Sequence, residues 1–172
     1  MLRQTTLKLS LGLLESAVLG VVLSTIFVIM QGGIANPTLK TVITLLTLLI
    51  FGSLVYTTAW REGNKDPNRV HYGRMKKCMA KGLIAGALAS APVIIDYILL
   101  LITSAAGREN FIFLVLFRIF NLYLLQWVNL LINHPFICAI FLLPIPLFAG
   151  LGYVMGYQQK SILIRLIYKK KK

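Results

Sequence analysis

Four long apolar stretches constrain this chain more than any other feature of its sequence. A helix needs about 20 apolar residues to cross the hydrocarbon core of a bilayer, because it rises about 1.5 Å per residue. The sequence therefore predicts an all-α integral membrane bundle of four transmembrane helices, forming one domain over residues 1–172. The predicted spans are residues 9–30, 41–60, 82–103 and 136–156.

Composition supports a membrane protein and argues against a nucleic-acid-binding protein. Only 13% of the residues are charged, whereas about a quarter are charged in soluble domains. The net charge of +13 would also suit a nucleic-acid-binding protein. However, the cations lie in short segments between apolar stretches, and no recognised nucleic-acid-binding module accompanies them. We therefore expect no nucleic acid, and we expect anionic lipid headgroups as partners at the inner face of the membrane.

The distribution of basic residues predicts the topology. The loop 61–81 carries seven Lys or Arg residues, and the tail 157–172 carries six. Segments rich in Lys and Arg stay in the cytoplasm, so both should lie there, with an even number of crossings between them. Arg3 and Lys8 then lie on the same side. Asn36-Pro37 indicates a short outer turn, and Asp66-Pro67-Asn68 indicates a turn in the inner loop. The sequence predicts a multi-pass plasma membrane protein with both termini in the cytoplasm.

A fifth apolar stretch, residues 111–132, carries a stripe of polar side chains. The four polar residues fall within an arc of about 140° on a helix. This pattern fits an amphipathic helix in the interface, or a span whose polar stripe faces the protein interior. A full span would place the basic tail outside, so we predict an interfacial or re-entrant helix on the outer side. The polar residues are Arg118, Asn121, Gln126 and Asn129.

Small residues indicate how the spans pack, because they let helix backbones approach in lipid. We expect the small faces of the first and third spans to contact each other. Pro92 should kink the third span, while Pro144 and Pro146 should kink the fourth. The small residues that carry the packing prediction are Gly12, Ser16, Gly20, Ser24, Gly82, Gly86 and Ser90.

Two acids lie inside the predicted spans, where an ionised side chain costs about 2.5–3.5 kcal/mol or more near mid-membrane. Helical spacing places Asp96 level with Arg118 if residues 104–110 form a hairpin, so these two form a candidate intramembrane polar pair. A functional acid at Asp96 is the alternative. Glu15 is a secondary candidate, since it lies about 9 Å from the inner end and can reach the interface.

No pattern in the chain indicates a catalytic, cofactor-binding or metal-binding site, and no cofactor is expected. Three function classes remain. The first is a non-catalytic membrane component or accessory subunit with a membrane protein partner. The second is a small transporter or channel-like homo-oligomer that uses Asp96. The third, a membrane enzyme, is weakest because the catalytic constellation is missing.

Three stretches together carry a resemblance to a protein group. They are the loop from Trp60 to Arg74 leading into Lys81-Gly-Leu-Ile-Ala-Gly86, the stretch Phe117-Arg118-Ile-Phe-Asn121, and the ending Gly152-Tyr-Val-Met-Gly156-Tyr157. In these the chain resembles an uncharacterised group of small bacterial polytopic membrane proteins. The resemblance implies four spans and a bacterial plasma membrane, and it implies no activity.

Overall fold

The computed structural model describes residues 2–73, 76–105, 111–132, 134 and 136–159. The secondary structure within these ranges is helical, which confirms the all-α prediction, while most of the basic tail lies outside the described residues. The α-helices are α1 Leu2–Gly32, α2 Pro37–His71, α3 Lys81–Ala89, α4 Ala91–Ala105, α5 Phe111–Phe120, α6 Leu125–Leu131 and α7 Pro144–Tyr157, with short 3₁₀ helices at Leu122–Leu124 and Ile137–Leu142.

Several of these helices are long and apolar enough to cross a membrane. By length and composition there are 3 candidate spans in the described residues, or up to 5 if each of two bent helix pairs is one span. These helices support insertion into a membrane. Because α1 and α2 are antiparallel neighbours joined by a short turn, the bundle has two ends. We call them the Pro37 end, where α1 ends and α2 begins, and the Lys81 end, where α3 begins.

The second helix is much longer than the sequence predicted. It begins where Asn36 accepts a hydrogen bond from the Thr38 N–H at 2.9 Å, with Pro37 in the first turn. It continues to His71 and passes through Pro67. The prediction of a loop is therefore wrong for residues 61–71. The turn predicted at Asp66-Pro67-Asn68 is also wrong, because these residues are helical. The 35 residues of α2 measure about 52 Å, well beyond the hydrocarbon core.

The third predicted span is broken, as Pro92 led us to expect. Helices α3 and α4 meet at an angle of 55°. Proline has no N–H to donate to the carbonyl four residues earlier, so the helical ladder is interrupted here. Just before the break, the hydroxyl of Ser90 donates to the carbonyl of Gly86 at 2.9 Å. In the fourth predicted span, a 3₁₀ helix gives way to α7 at Pro144.

Helix α7 packs between α2 and α3 through glycines. A Cβ atom on Gly152 would overlap the backbone oxygen of Tyr56, and one on Gly156 would overlap that of Trp60. On α3, a Cβ on Gly86 would lie 2.7 Å from Pro146 Cα. These contacts let the backbones of α2, α3 and α7 approach closely, as the small-residue principle predicts.

The small stripe of α1 lies against α2, so the predicted match of small faces between the first and third spans is wrong. Ser16 Oγ lies 2.6 Å from Thr58 Oγ1. A Cβ on Gly20 would lie 2.5 Å from the ring of Phe51. Helix α1 also contacts α3, but Gly82 and Gly86 of α3 lie against α7. Helical spacing identified the small faces and could not identify their partners.

The stretch 111–132 is bent where it packs against α2. Its two halves meet at an angle of 82°. At the bend, the Tyr123 ring stacks on Phe51 at 3.8 Å, about 21 Å along α2 from Pro37. Gln126 then bonds back toward the Pro37 end, at 3.2 Å to Thr41 and 3.1 Å to Thr44. The stretch 111–132 therefore does not form a single continuous interfacial helix. Among the predicted polar stripe, Asn121 and Gln126 face protein, and Asn129 is exposed.

Candidate functional site

A buried acid, Asp66, is the centre of the most connected polar site in the described part of the chain. Its carboxylate is fully buried and accepts bonds from three side chains. Lys81 Nζ donates to Oδ2 at 2.6 Å, Tyr153 Oη donates to the same oxygen at 2.7 Å, and Arg69 Nη1 donates to Oδ1 at 2.8 Å. We call Asp66, Arg69, Lys81 and Tyr153 the Asp66 cluster.

Each member of the Asp66 cluster comes to the site for a local reason. The buried face of α2 includes Val55, Ala59 and Gly63, which are four residues apart. Asp66, three residues after Gly63, continues that face. Gly63 lies against the backbone of Tyr153, which brings α7 next to that face. Lys81 is the first residue of α3, and its side chain is 0% exposed. The cluster therefore ties α2, α3 and α7 together at the Lys81 end.

The energetics of the cluster are those of a buried ion pair. Forming such a pair gains little net stability, because both charges lose their hydration. Removing one partner is far more damaging and costs about 3–5 kcal/mol, because the other charge stays buried and unpaired. The arrangement can fix the relative position of three helices. The ion pair of Asp66 and Lys81 offers no access to a soluble reactant, since both of these side chains are 0% exposed.

A second acid of α2, Glu62, extends the site toward solvent. Its carboxylate accepts hydrogen bonds from Lys65 at 2.8 Å and from Arg69 at 3.1 Å. Burial alone would raise the pKa of Glu62, but the hydrogen bonds and charges of Lys65 and Arg69 outweigh it and lower the pKa below the ordinary 4.5. Glu62 therefore stays ionised near neutral pH, and Arg69 bridges it to Asp66.

A cleft opens beside these residues, between α1 and the extended part of α2. We call it the basic cleft; its volume is about 280 Å³. Lys8 and Arg61 are exposed and make no ion pair within the described residues. Four cations and one carboxylate line the cleft. Its lining residues are Thr5, Lys8, Leu9, Gly12, Thr58, Arg61, Glu62, Lys65 and Arg69.

Asp96, the first candidate from the sequence, is buried on α4 with 5% of its surface exposed. Neither carboxylate oxygen has a hydrogen-bond partner in the described structure, and neither does the buried Nε of Arg118. The two side chains are therefore not joined, and the predicted polar pair is wrong as a direct contact.

The reason is rotational rather than a matter of depth. The residue after Asp96, Tyr97, contacts the residue before Arg118, Phe117, with ring centroids 5.9 Å apart. This contact places α4 and α5 at the predicted level, while residues 106–110 of the predicted hairpin lie outside the described residues. Adjacent residues on a helix point about 100° apart, however, so an aromatic pair occupies the contact where we placed the ion pair.

Glu15, the secondary candidate, is exposed on α1 and lies apart from both the Asp66 cluster and the basic cleft lining. In the described residues no group of three or more His, Cys, Asp or Glu is placed to hold a metal ion. Cys78 and Cys138 are free thiols, and the latter donates to the Leu131 carbonyl at 3.3 Å.

Sequence reasoning missed Asp66, Lys81 and Tyr153, although one signal pointed to them. The buried face of α2 repeats every three or four residues, and Gly63 and Asp66 continue that repeat beyond the apolar stretch. Glu62, Asp66 and Arg69 also have the spacing of ion pairs on a helix. Reading Asp66-Pro67-Asn68 as a turn hid both signals.

Comparison of the chain with protein-family models, with curated proteins and with solved structures gives no match.

Proposed function

We propose that this chain is a non-catalytic component of a bacterial plasma membrane, an accessory subunit that offers a rigid cytoplasmic end to a membrane partner. The observation that carries the proposal is the Asp66 cluster. It uses a buried ion pair and a tyrosine to fix α2, α3 and α7 where the helices emerge from the apolar layer. A fixed end with an exposed charged flank suits a docking element.

The proposed topology has four crossings, by α1, by α2, by α3 with α4, and by the 3₁₀ helix with α7. The stretch 111–132 is re-entrant from the outside, and both termini and the Lys81 end are cytoplasmic. Two observations support it. Six of the seven cations of residues 61–81 belong to the described residues and lie at the Lys81 end, and Gln126 bonds Thr41 and Thr44 near the Pro37 end. Retention of Lys-rich segments in the cytoplasm then orients the bundle.

Cysteine accessibility tests this topology. In a background with Cys78→Ser and Cys138→Ala, we expect an impermeant thiol reagent applied to intact cells to label Phe136→Cys and to spare Lys76→Cys. Permeabilised cells supply the control, since both positions are exposed and should then react. Labelling of both in intact cells would refute the proposed topology.

The subunit role is tested by native mass spectrometry of the complex released from membranes into nanodiscs. A stoichiometric second polypeptide supports the proposal. A homo-oligomer with no other chain contradicts it and favours the alternative below.

The alternative is a small transporter or channel-like oligomer, and one observation favours it. A buried acid without a partner inside apolar helices is a functional candidate, because its charge is costly. Asp96 is such a residue, and it lies six residues after the break at Ser90. Broken helices and re-entrant segments often form ion pathways in transporters.

Proton flux into vesicles tests that alternative. Purified protein would be reconstituted into liposomes that contain a pH-sensitive dye, and a pH step would be applied. Transport predicts a flux that Asp96→Asn abolishes and that Glu15→Gln, the exposed acid on α1, leaves unchanged. Vesicles as tight as protein-free ones would exclude proton transport.

A further inference from the structure

The basic cleft between α1 and α2 has the features of an anion site rather than of a simple helix junction. Its four cations are Lys8 from α1 and Arg61, Lys65 and Arg69 from α2. The three on α2 are four residues apart, so they stand on one face of the helix. Glu62 is the carboxylate in the lining. Three positive charges therefore remain uncompensated within it.

Partner contacts divide the cations into two groups. Lys65 and Arg69 are held by Glu62 and Asp66, at 2.8–3.1 Å. These contacts preorganise the wall of the cleft. Lys8 and Arg61 make no ion pair in the described residues, and they line the cleft from different helices. They are the groups that an incoming anion would engage.

The position of the cleft identifies the chemistry of the ligand. Its walls include the apolar residues Leu9 and Gly12 beside the cations. Below the cleft, Ser16 and Thr58 are joined at 2.6 Å, which closes the gap between α1 and α2. A ligand here would place its charged group among the cations of the two helices.

We propose that the basic cleft binds the phosphate of an anionic phospholipid headgroup. Arg and Lys side chains bind phosphate in proteins through charge-assisted hydrogen bonds. In the proposed topology, on which this inference rests, the cleft lies at the level of the inner headgroups. Clusters of Lys and Arg between or beside membrane helices bind such headgroups. A bound lipid would bridge α1 to α2 beside the Asp66 cluster.

Native mass spectrometry of lipid retention tests the proposal. Protein would be purified in detergent, incubated with phosphatidylglycerol or phosphatidylcholine, and its lipid-bound states counted. We expect selective retention of phosphatidylglycerol. Lys8→Gln with Arg61→Gln should weaken that retention roughly tenfold or more, since each cation near a headgroup contributes to binding.

The matched control is Lys76→Gln with Lys77→Gln, which removes two exposed cations outside the cleft lining and gives the same net charge. It should retain phosphatidylglycerol as the wild type does. If both double variants lost phosphatidylglycerol equally, the proposed site would be overturned. The lipid would then be held only by the general attraction between its charge and the basic protein. Displacement of the lipid by millimolar inorganic phosphate, with no preference between the two lipids, would overturn a lipid ligand in favour of free phosphate. Because the assay uses purified protein, its failure is separate from failure to find a partner subunit.

Discussion

Two buried aspartates in this chain occupy opposite situations. Asp66, at the Lys81 end, accepts hydrogen bonds from a lysine, an arginine and a tyrosine on three elements. Asp96, within α4, has no partner for either carboxylate oxygen in the described structure. The first acid is the kind that holds helices together, since its charge is matched. The second is the kind that is retained for a function or tolerated as a neutral group.

The contrast between Asp66 and Asp96 shows that the depth of an acid in an apolar segment is a poor guide to its role. The sequence placed Asp96 inside a span and Asp66 in a loop. In the structure, the acid from the supposed loop is the more buried of the two, at 0% against 5% exposure. What separates structural from functional candidates is the set of partners, and partners depend on which helix faces meet.

The largest expected effect comes from removing the charge of Asp66. Asp66→Asn removes the carboxylate that matches the buried charge of Lys81, so we expect a loss of about 3–5 kcal/mol in the free energy of unfolding. Reversible unfolding in mixed micelles with increasing SDS would measure it. The double variant Asp66→Asn with Lys81→Met should recover much of the loss. A single variant as stable as the wild type would end the contrast between the two acids.

Next in size is the glycine contact that holds α7 against α2 beside the Asp66 cluster. Gly156→Ala places a methyl group against the backbone oxygen of Trp60, and overpacking of this kind costs about 1–3 kcal/mol. Gly32→Ala is the matched control, because nothing lies within 4 Å of its Cβ position. Since alanine favours helix, the control should be neutral or slightly more stable. Equal effects at both glycines would contradict the claim that close approach of the α2 and α7 backbones stabilises the Lys81 end.

A smaller effect is expected at Asp96. Asp96→Asn removes no hydrogen bond within the described residues, so the free energy of unfolding should change by less than about 1 kcal/mol. The same SDS titration measures this change, and Asp66→Asn serves as the reference. A loss comparable to that of Asp66→Asn would reveal a partner and remove the functional interpretation of Asp96.

The smallest effect concerns pH and Glu62. Because the folded-state pKa of Glu62 is lowered from 4.5, its contribution to stability is fully present above that value and is lost as pH falls through the lower folded value. The stability difference between wild type and Glu62→Gln should thus be constant near neutral pH and shrink below about 4.5. For this partly exposed pair we expect at most about 1 kcal/mol. If the stability difference between wild type and Glu62→Gln grew as the pH fell, the pKa of Glu62 would be raised in the folded state and the interpretation would be wrong.

Sequence reasoning recovered the elements that depend on local chemistry. The helical class, the break caused by Pro92 and the turn at Asn36-Pro37 all follow from residue type and spacing. It failed where two helices must be rotated relative to each other. Asp96 and Arg118 are at matching levels but on different faces, and the small stripe of α1 lies on α2 rather than on α3. Spacing fixes position along a helix, whereas the partner of a face is decided by the whole bundle.

One measurement tests the central contrast most directly, the coupling free energy of each acid with its nearest candidate cation. Two double-mutant cycles would be run side by side, Asp66→Asn with Lys81→Met and Asp96→Asn with Arg118→Gln, by SDS unfolding in the same micelles. We expect a coupling free energy of at least about 2 kcal/mol for Asp66 with Lys81, and a value near zero for Asp96 with Arg118. Strong coupling of Asp96 with Arg118, or none between Asp66 and Lys81, would contradict it.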